Sequence, residues 1–263
     1  MTDANGMTNP FTDRFASVAA DYASFRPTYP AALFAWLAGI APDHVLAWDC
    51  AAGSGQASLD LAIHFERVIA TDASAAQIAV AVPHPRVAYR VAPAEDSGLP
   101  NAAVDLITVA QALHWFDLDR FYVEARRVLK PGGVLAVWTY GVLAVAGEAV
   151  DARVQTFYRE TVGPYWPPER RHVESGYRTL PFPFAELQAP DFNMEASWTL
   201  PELLGYFRSW SATGRYLAEQ GHDPVTVLAA ELAPLWGLPG DRRRITWPLA
   251  VRVGKASSLH AVS

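Results

Sequence analysis

At 263 residues with a formal net charge of −6, 51% hydrophobic and 18% charged, the chain has the makings of a packed globular core. It lacks the basic surface that nucleic-acid binding as a main role would demand. The single cysteine, Cys50, excludes an intrachain disulfide, and the first twenty residues lack the apolar run of a secretory signal. The longest uncharged stretch, Pro131 to Gly147, is too short and too glycine-broken to span a membrane, so a cytoplasmic protein is expected.

In chain order, a short helix is predicted from about Thr12 to Tyr22, broken by Arg26-Pro27-Thr28-Tyr29-Pro30. Pro30 suits the first position of a second helix through Ala38, closed by Gly39. Val45 to Trp48 reads as a first strand ending in Asp49, with a helix after the small residues Ala51 to Gly55. Val68 to Ala70 makes a second strand, Ala75 to Val82 a helix, Val87 to Val91 a third strand and Val104 to Ala110 a fourth. Asp117 caps a helix whose apolar face is Leu118, Phe121, Tyr122, Ala125, Val128 and Leu129. That helix stops at Lys130-Pro131-Gly132-Gly133, before a fifth strand from Val134 to Trp138. Two last strands are expected at 192–198 and 245–253, with helices near 201–220 and 224–236 between them. Strands alternating with helices imply crossovers, hence a doubly wound, mostly parallel α/β sheet of seven strands covered by helices on both faces. Residues 142–180 and the later helices, rich in proline and aromatic residues, are read as a lid. We therefore divide the chain into N-terminal helices over the site (1–40), a binding core (41–141), and a lid and acceptor region with the last strands (142–263).

Such sheets bind ligands beyond the carboxyl ends of their strands, so the loops there carry the chemistry. After strand one, Gly53 and Gly55 let the backbone pass close to a ligand and turn into a helix N-terminus. Asp72, ending strand two, stands where a carboxylate can accept hydrogen bonds from a ribose. Both features suit a nicotinamide nucleotide as well, but Ser58 leaves the three-glycine fingerprint incomplete.

Further motifs carry a resemblance. These are Asp49-x-x-x-Gly53-Ser54-Gly55, Asp72, Ala94-Glu95-Asp96-Ser97-Gly98-Leu99-Pro100, Ala110-Gln111-Ala112-Leu113-His114-Trp115-Phe116 and Lys130-Pro131-Gly132-Gly133. In order and spacing over about residues 40–140 they resemble the class I S-adenosylmethionine-dependent methyltransferases. Tyr22, Arg26 and the stretch around His114 are similar to the trans-aconitate methyltransferase-like (type 11) subgroup. The resemblance implies S-adenosylmethionine as cofactor and a Rossmann-like sheet. Asp49, Ala51, Gly53 and Gly55 would then shape the methionine pocket, Asp72 hold the ribose, and Ala73, Ala94 and Glu95 line the adenine. Gln111 would lie beneath the cofactor, Tyr22 or Arg26 close over its carboxylate, and His114 and Trp115 face the acceptor.

Two positions depart from the family pattern. Ala51 stands where glycine is usual, and Pro93 where an acidic residue is usual. On this reading the protein methylates a small molecule, at oxygen if the acceptor is a carboxylate, with no nucleic-acid, membrane or metal partner. A cofactor-binding protein without turnover is the second reading, and a nicotinamide-dependent oxidoreductase the third. Tyr165, Trp166, Trp210 and Tyr216 are candidates for an apolar acceptor wall, and Arg170, Arg171, Arg208 and Arg215 for pairing with an acidic acceptor. His114 would serve as base if the acceptor were a hydroxyl.

Overall fold

The computed structural model describes residues 27–256 apart from 239. The expected helix from Thr12 to Tyr22, and the candidate residues Tyr22 and Arg26, lie outside the described residues. Five strands, β1 (Leu46–Cys50), β2 (Arg67–Asp72), β3 (Val87–Val91), β4 (Val104–Ala110) and β5 (Leu129–Tyr140), pair in parallel in the order β3-β2-β1-β4-β5. Strand order reverses between β1 and β4, which puts a ligand crevice at their carboxyl ends. The central strands are apolar on both faces, as burial between two helix layers requires, and Trp48, Ile107 and Val137 are fully covered.

The sheet has nine strands rather than seven. Beside the last long strand, β9 (Arg243–Lys255), which runs antiparallel to β5, two short segments pair along its length. These are β6 (Ala144–Val145) and β7 (Ala185–Leu187), while β8 (Phe192–Trp198) also pairs with β9. β5 pairs with Leu249–Lys255 of β9, β6 with Ile245 and Thr246 beyond that stretch, and β7 with Val253–Lys255 along the other edge of the strand, so backbone groups that β5 leaves open find partners.

Helix α1 (Ala31–Ile40) precedes β1, and α2 (Gln56–His64), α3 (Ala75–Ala79) and α4 (Leu118–Val128) fill crossovers. α1 begins after Pro30 and runs through Gly39, which does not close it; the end comes at Ala41, before Pro42. α3 stops three residues short of the expected Val82. It buries no side chain, and the residue before Pro83 is biased away from helix. In α4 the Asp117 carboxylate accepts from the Arg120 amide at 3.3 Å, and Phe121, Tyr122, Ala125 and Val128 are buried as their spacing requires. Leu129 already belongs to β5, and Lys130 to Gly133 form a bulge within that strand rather than a turn before it. Val104 pairs with Leu129 and Leu106 with Val134, so the four residues Lys130–Gly133 of β5 stand against the single residue Asp105 of β4.

The amino end of β1 is pinned by Asp105. Its fully buried carboxylate accepts from the amides of Val45 (3.1 Å) and Leu46 (2.9 Å) and pairs with Lys130 at 2.7 Å.

The chain divides into two compact units. Among the described residues, the sheet unit holds 27–146, 167–197 and 244–256, including α6 (Arg170–Glu174). The second unit holds 147–166 and 198–243. In it, α5 (Glu148–Thr156) passes into a π-helical turn, and the helix expected over 201–220 is two: α7 (Leu200–Arg208) and α8 (Ser211–Gln220), broken at the extended Trp210. α9 (Pro224–Trp236) completes it. The core of this unit is aromatic: the Phe207 and Trp210 rings lie 4.7 Å apart, and Tyr158 and Trp166 pack on Trp210.

Candidate active site

The loop after β1 turns on left-handed backbone. Gly53 (φ +57°) and Gly55 (φ +88°) use the freedom of glycine, and Ala51 adopts φ +56° despite its methyl group. A side chain at Gly55 would run into the Tyr89 ring. Asp72, at the end of β2, ties the two loops together, since its carboxylate accepts from the amides of Gly53 and Ser74, both at 2.8 Å. Each oxygen keeps lone pairs for a further donor.

Asp49 is almost wholly buried and accepts from the hydroxyls of Ser58 (2.5 Å) and Thr108 (3.0 Å). Loss of hydration outweighs these two bonds and pushes its pKa up to about 6. Beside it Gln56, at the start of α2, donates to the Pro27 carbonyl at 2.8 Å. The other polar atom of that amide, Oε1, is buried with no hydrogen-bond partner among the described residues. A buried acceptor left unmatched is costly, so a ligand donor is the natural complement.

On the third and fourth loops, Ala94 is buried and belongs to the core cluster, while Ala73 is exposed. Glu95 accepts from the Asp117 amide at 2.9 Å, which connects the loop after β3 to the start of α4. Pro93 is exposed. Gln111, at φ +58°, donates to the Tyr140 carbonyl (3.3 Å) and accepts from the Thr139 hydroxyl (2.8 Å).

His114 and Trp115 sit on a single 3-10 turn, Leu113–Trp115, with ring centroids 4.6 Å apart. The His114 Nδ1 meets the Tyr177 hydroxyl at 3.0 Å. Burial first, then the positive fields of Arg170 and His172, hold the imidazole neutral and bring its pKa down to about 4. Burial also raises the Cys50 thiol well above its ordinary range, so it is not a nucleophile. The described residues contain no cluster fit to hold a metal ion and no helix long and apolar enough to cross a membrane.

Asp49 and His114 make opposite contributions to stability between pH 4 and 6. Asp49, raised from 3.8, contributes stability that is present below its ordinary pKa and lost as pH rises through 6. His114, lowered from 6.5, contributes stability that is present above its ordinary pKa and lost as pH falls through 4. Asp49→Asn keeps the hydroxyl partners and removes only the first contribution. Its unfolding free energy, measured by urea titration against wild type, is expected to climb relative to wild type from pH 4 to pH 6. Parallel profiles would refute the buried charge at Asp49.

Of the other candidates, Arg170 lies in the sheet unit near enough to His114 to act on its charge. Arg208 pairs with Asp223 at 2.9 Å, and Arg215 donates to the Tyr165 carbonyl at 3.1 Å, both within the second unit. Pro164, Tyr165, Trp166 and Arg215 line an open cleft of about 440 Å³ there. The sequence assigned no site role to Ser58, Thr108, Gln56, Thr139 or Tyr177. Ser58 and Gln56 lie on a helix whose facing only the fold shows, and Tyr177 lies in the stretch assigned to the lid.

A methyltransferase-domain family model matches residues 48–137. A protein of Dictyostelium discoideum assigned as a methyltransferase is 37% identical over 226 residues, covering 84% of this chain and 86% of the relative. A methyltransferase of Mycobacterium tuberculosis is 36% identical over 126 residues, 47% of this chain and 51% of its own, so this chain spans only about half of that relative. The solved structure of a protein from Anaeromyxobacter dehalogenans, assigned as a type II methyltransferase, is 53% identical with a TM-score of 0.85, covering 89% of this chain and 99% of that one. The nicotinamide-dependent reading falls with these matches. With the reversed strand order, the glycine turn after β1 and the carboxylate ending β2, they identify the chain as a member of the class I S-adenosylmethionine-dependent methyltransferases.

Proposed function

We propose that this methyltransferase binds S-adenosylmethionine over the β1 and β2 loops and methylates a small-molecule carboxylate at oxygen, in the cytoplasm, as a trans-aconitate methyltransferase-like (type 11) enzyme. When bound, the cofactor supplies an electrophilic methyl group carried on a sulfonium. The residues present suit it. Asp72 has acceptor capacity for ribose hydroxyls, the Gln56 oxygen has among the described residues no donor of the kind an ammonium would supply, and Gly53 and Gly55 put no side chain at two left-handed positions of the loop. Ala51 follows a left-handed path open to glycine, so the departure from the family adds strain without closing the loop.

The observation that carries the carboxylate reading is the state of His114. An imidazole with a pKa of about 4 is a weak base at neutral pH, whereas a carboxylate needs no base to act as nucleophile. The positive field of Arg170 that lowers this pKa also favours an anionic acceptor nearby. Trp115, partly buried against His114, would help exclude water, and the residues' main contribution is to hold nucleophile and methyl group in line. The test is formation of S-adenosylhomocysteine across a panel of small acids, phenols and amines, with calorimetry of cofactor binding to wild type and Asp72→Ala. Turnover confined to phenols or amines would overturn the carboxylate assignment. Equal affinity in Asp72→Ala would overturn the ribose site.

A further inference from the structure

Strand register brings one side chain to the glycine turn from the edge of the sheet. Asp49 on β1 pairs with Ala70 on β2, and Ala70 with Tyr89 on β3, so the three side chains share one face in a row. Ala70 carries only a methyl group, which leaves room for the Tyr89 ring to lean over it towards β1. The ring reaches the turn. A Cβ built on Gly55 would stand 2.7 Å from Tyr89 Cε1 and 2.9 Å from Cζ, with the hydroxyl oxygen nearer still. The ring therefore lies in contact with the bare Cα of Gly55. The phenol is tethered in turn, since its hydroxyl donates to the Val82 carbonyl at 3.0 Å. Burial first, then the negative field of Asp49, raises the Tyr89 pKa, so the hydroxyl keeps its proton at neutral pH.

The two halves of the loop after β1 are held differently. In the first half, the Ala52 amide donates to the Thr71 carbonyl at 2.9 Å and the Gly53 amide to the Asp72 carboxylate at 2.8 Å, both on β2. Ser54 and Gly55 have no hydrogen bond to a strand among the described residues. The Gly55 amide is spent within the turn, on the Ala52 carbonyl at 2.9 Å. Gly55 also stands directly before α2, at φ +88°. Glycine has more backbone freedom to lose than any other residue, so this half needs an outside contact to stay in one conformation. Tyr89 supplies it, and the three atoms nearest the Cβ position of Gly55 are all its own.

We infer that Tyr89 is a positioning residue for the cofactor. Through Gly55 it holds the second half of the loop, and with it the Gln56 end of α2, in the conformation that takes the ligand. The inference rests on the proposed binding of S-adenosylmethionine over the β1 and β2 loops. A loop that samples other conformations binds with an affinity reduced by the fraction that is competent, while the bound state stays the same. Loss of the ring therefore weakens cofactor binding and leaves the transfer step at saturating cofactor untouched.

The test is calorimetry of S-adenosylmethionine and S-adenosylhomocysteine binding to the full chain. Tyr89→Ala is expected to raise the Kd of both about tenfold. Tyr89→Phe keeps the ring, loses only an exposed hydrogen bond and is expected to stay within about threefold of wild type. Should Tyr89→Ala fail to fold, Tyr89→Val, a strand former without a ring, carries the test. On an acceptor that turns over, Tyr89→Ala is expected to raise the cofactor KM about tenfold with kcat within about twofold. A double variant tests the route through Gly55. Gly55→Ala weakens binding in the wild-type background but is expected to cost less than about threefold more once Tyr89 is replaced by alanine, because the added methyl group no longer meets a ring. Equal affinity in wild type and Tyr89→Ala overturns the assignment, as does a lower melting temperature with unchanged affinity. Penalties of the two substitutions that multiply overturn the route through Gly55. Wild type that binds neither ligand overturns the proposed function and this inference with it, so the two failures are distinguishable.

Discussion

Asp105→Ala is expected to lower the unfolding free energy by about 3 kcal/mol, read as a fall in the urea midpoint with little change in slope. The carboxylate is wholly buried, and its loss strands the Val45 and Leu46 amides at the point where β1 enters the sheet. A buried donor without a partner costs about 1–3 kcal/mol, and here the Leu46 amide is buried and the Val45 amide partly so. Lys130 loses its 2.7 Å partner as well, but its side chain is 26% exposed and water can take over much of that interaction. A loss below about 1 kcal/mol would mean that the strand-one amides find other acceptors, and the pinning role would fail.

The second large effect belongs to the glycine turn. Gly55→Ala places a methyl group into the Tyr89 ring at φ +88°, so the helix start and the ring must part. Beyond about 1–2 kcal/mol of backbone strain, cofactor affinity measured by calorimetry is expected to fall about tenfold, or 1.4 kcal/mol. Ala51→Gly is the opposite experiment in the same loop. It relieves an alanine at φ +56° and is expected to raise stability by about 0.5–1 kcal/mol while tightening cofactor binding. If both variants bind alike, the loop does not hold the cofactor.

The alternating strands and helices up to Trp138 were legible because each element obeys a local rule. β1, β2 and β4 are largely buried apolar runs, β3 is a partly exposed edge strand, and α4 combines a cap at Asp117 with a 3.6-residue stripe. Errors fell where local rules meet competition. Lys130-Pro131-Gly132-Gly133 looks like a chain break, yet sheet pairing on either side carries β5 straight through it as a bulge. Val80 and Val82 continue an apolar pattern, but with nothing to bury against they left α3 short. β6 and β7 are too brief to announce themselves and exist because β9 offers them backbone, β6 at Ile245 and Thr246 beyond the reach of β5 and β7 along the edge opposite β5.

By itself, the sequence determined the crossover sheet, the loops that meet its carboxyl edge and the family to which they belong. Those features rest on short-range patterns: periodicity, glycine turns and a carboxylate closing a strand. Only the tertiary structure decided the protonation of the site. Asp49 is raised because burial strips its water, and His114 is lowered by burial beside Arg170, more than fifty residues away in sequence. Tyr177 joins His114 from 63 positions away, and no spacing rule connects them. Electrostatics and protonation depend on what surrounds a group in space, which composition and periodicity do not encode.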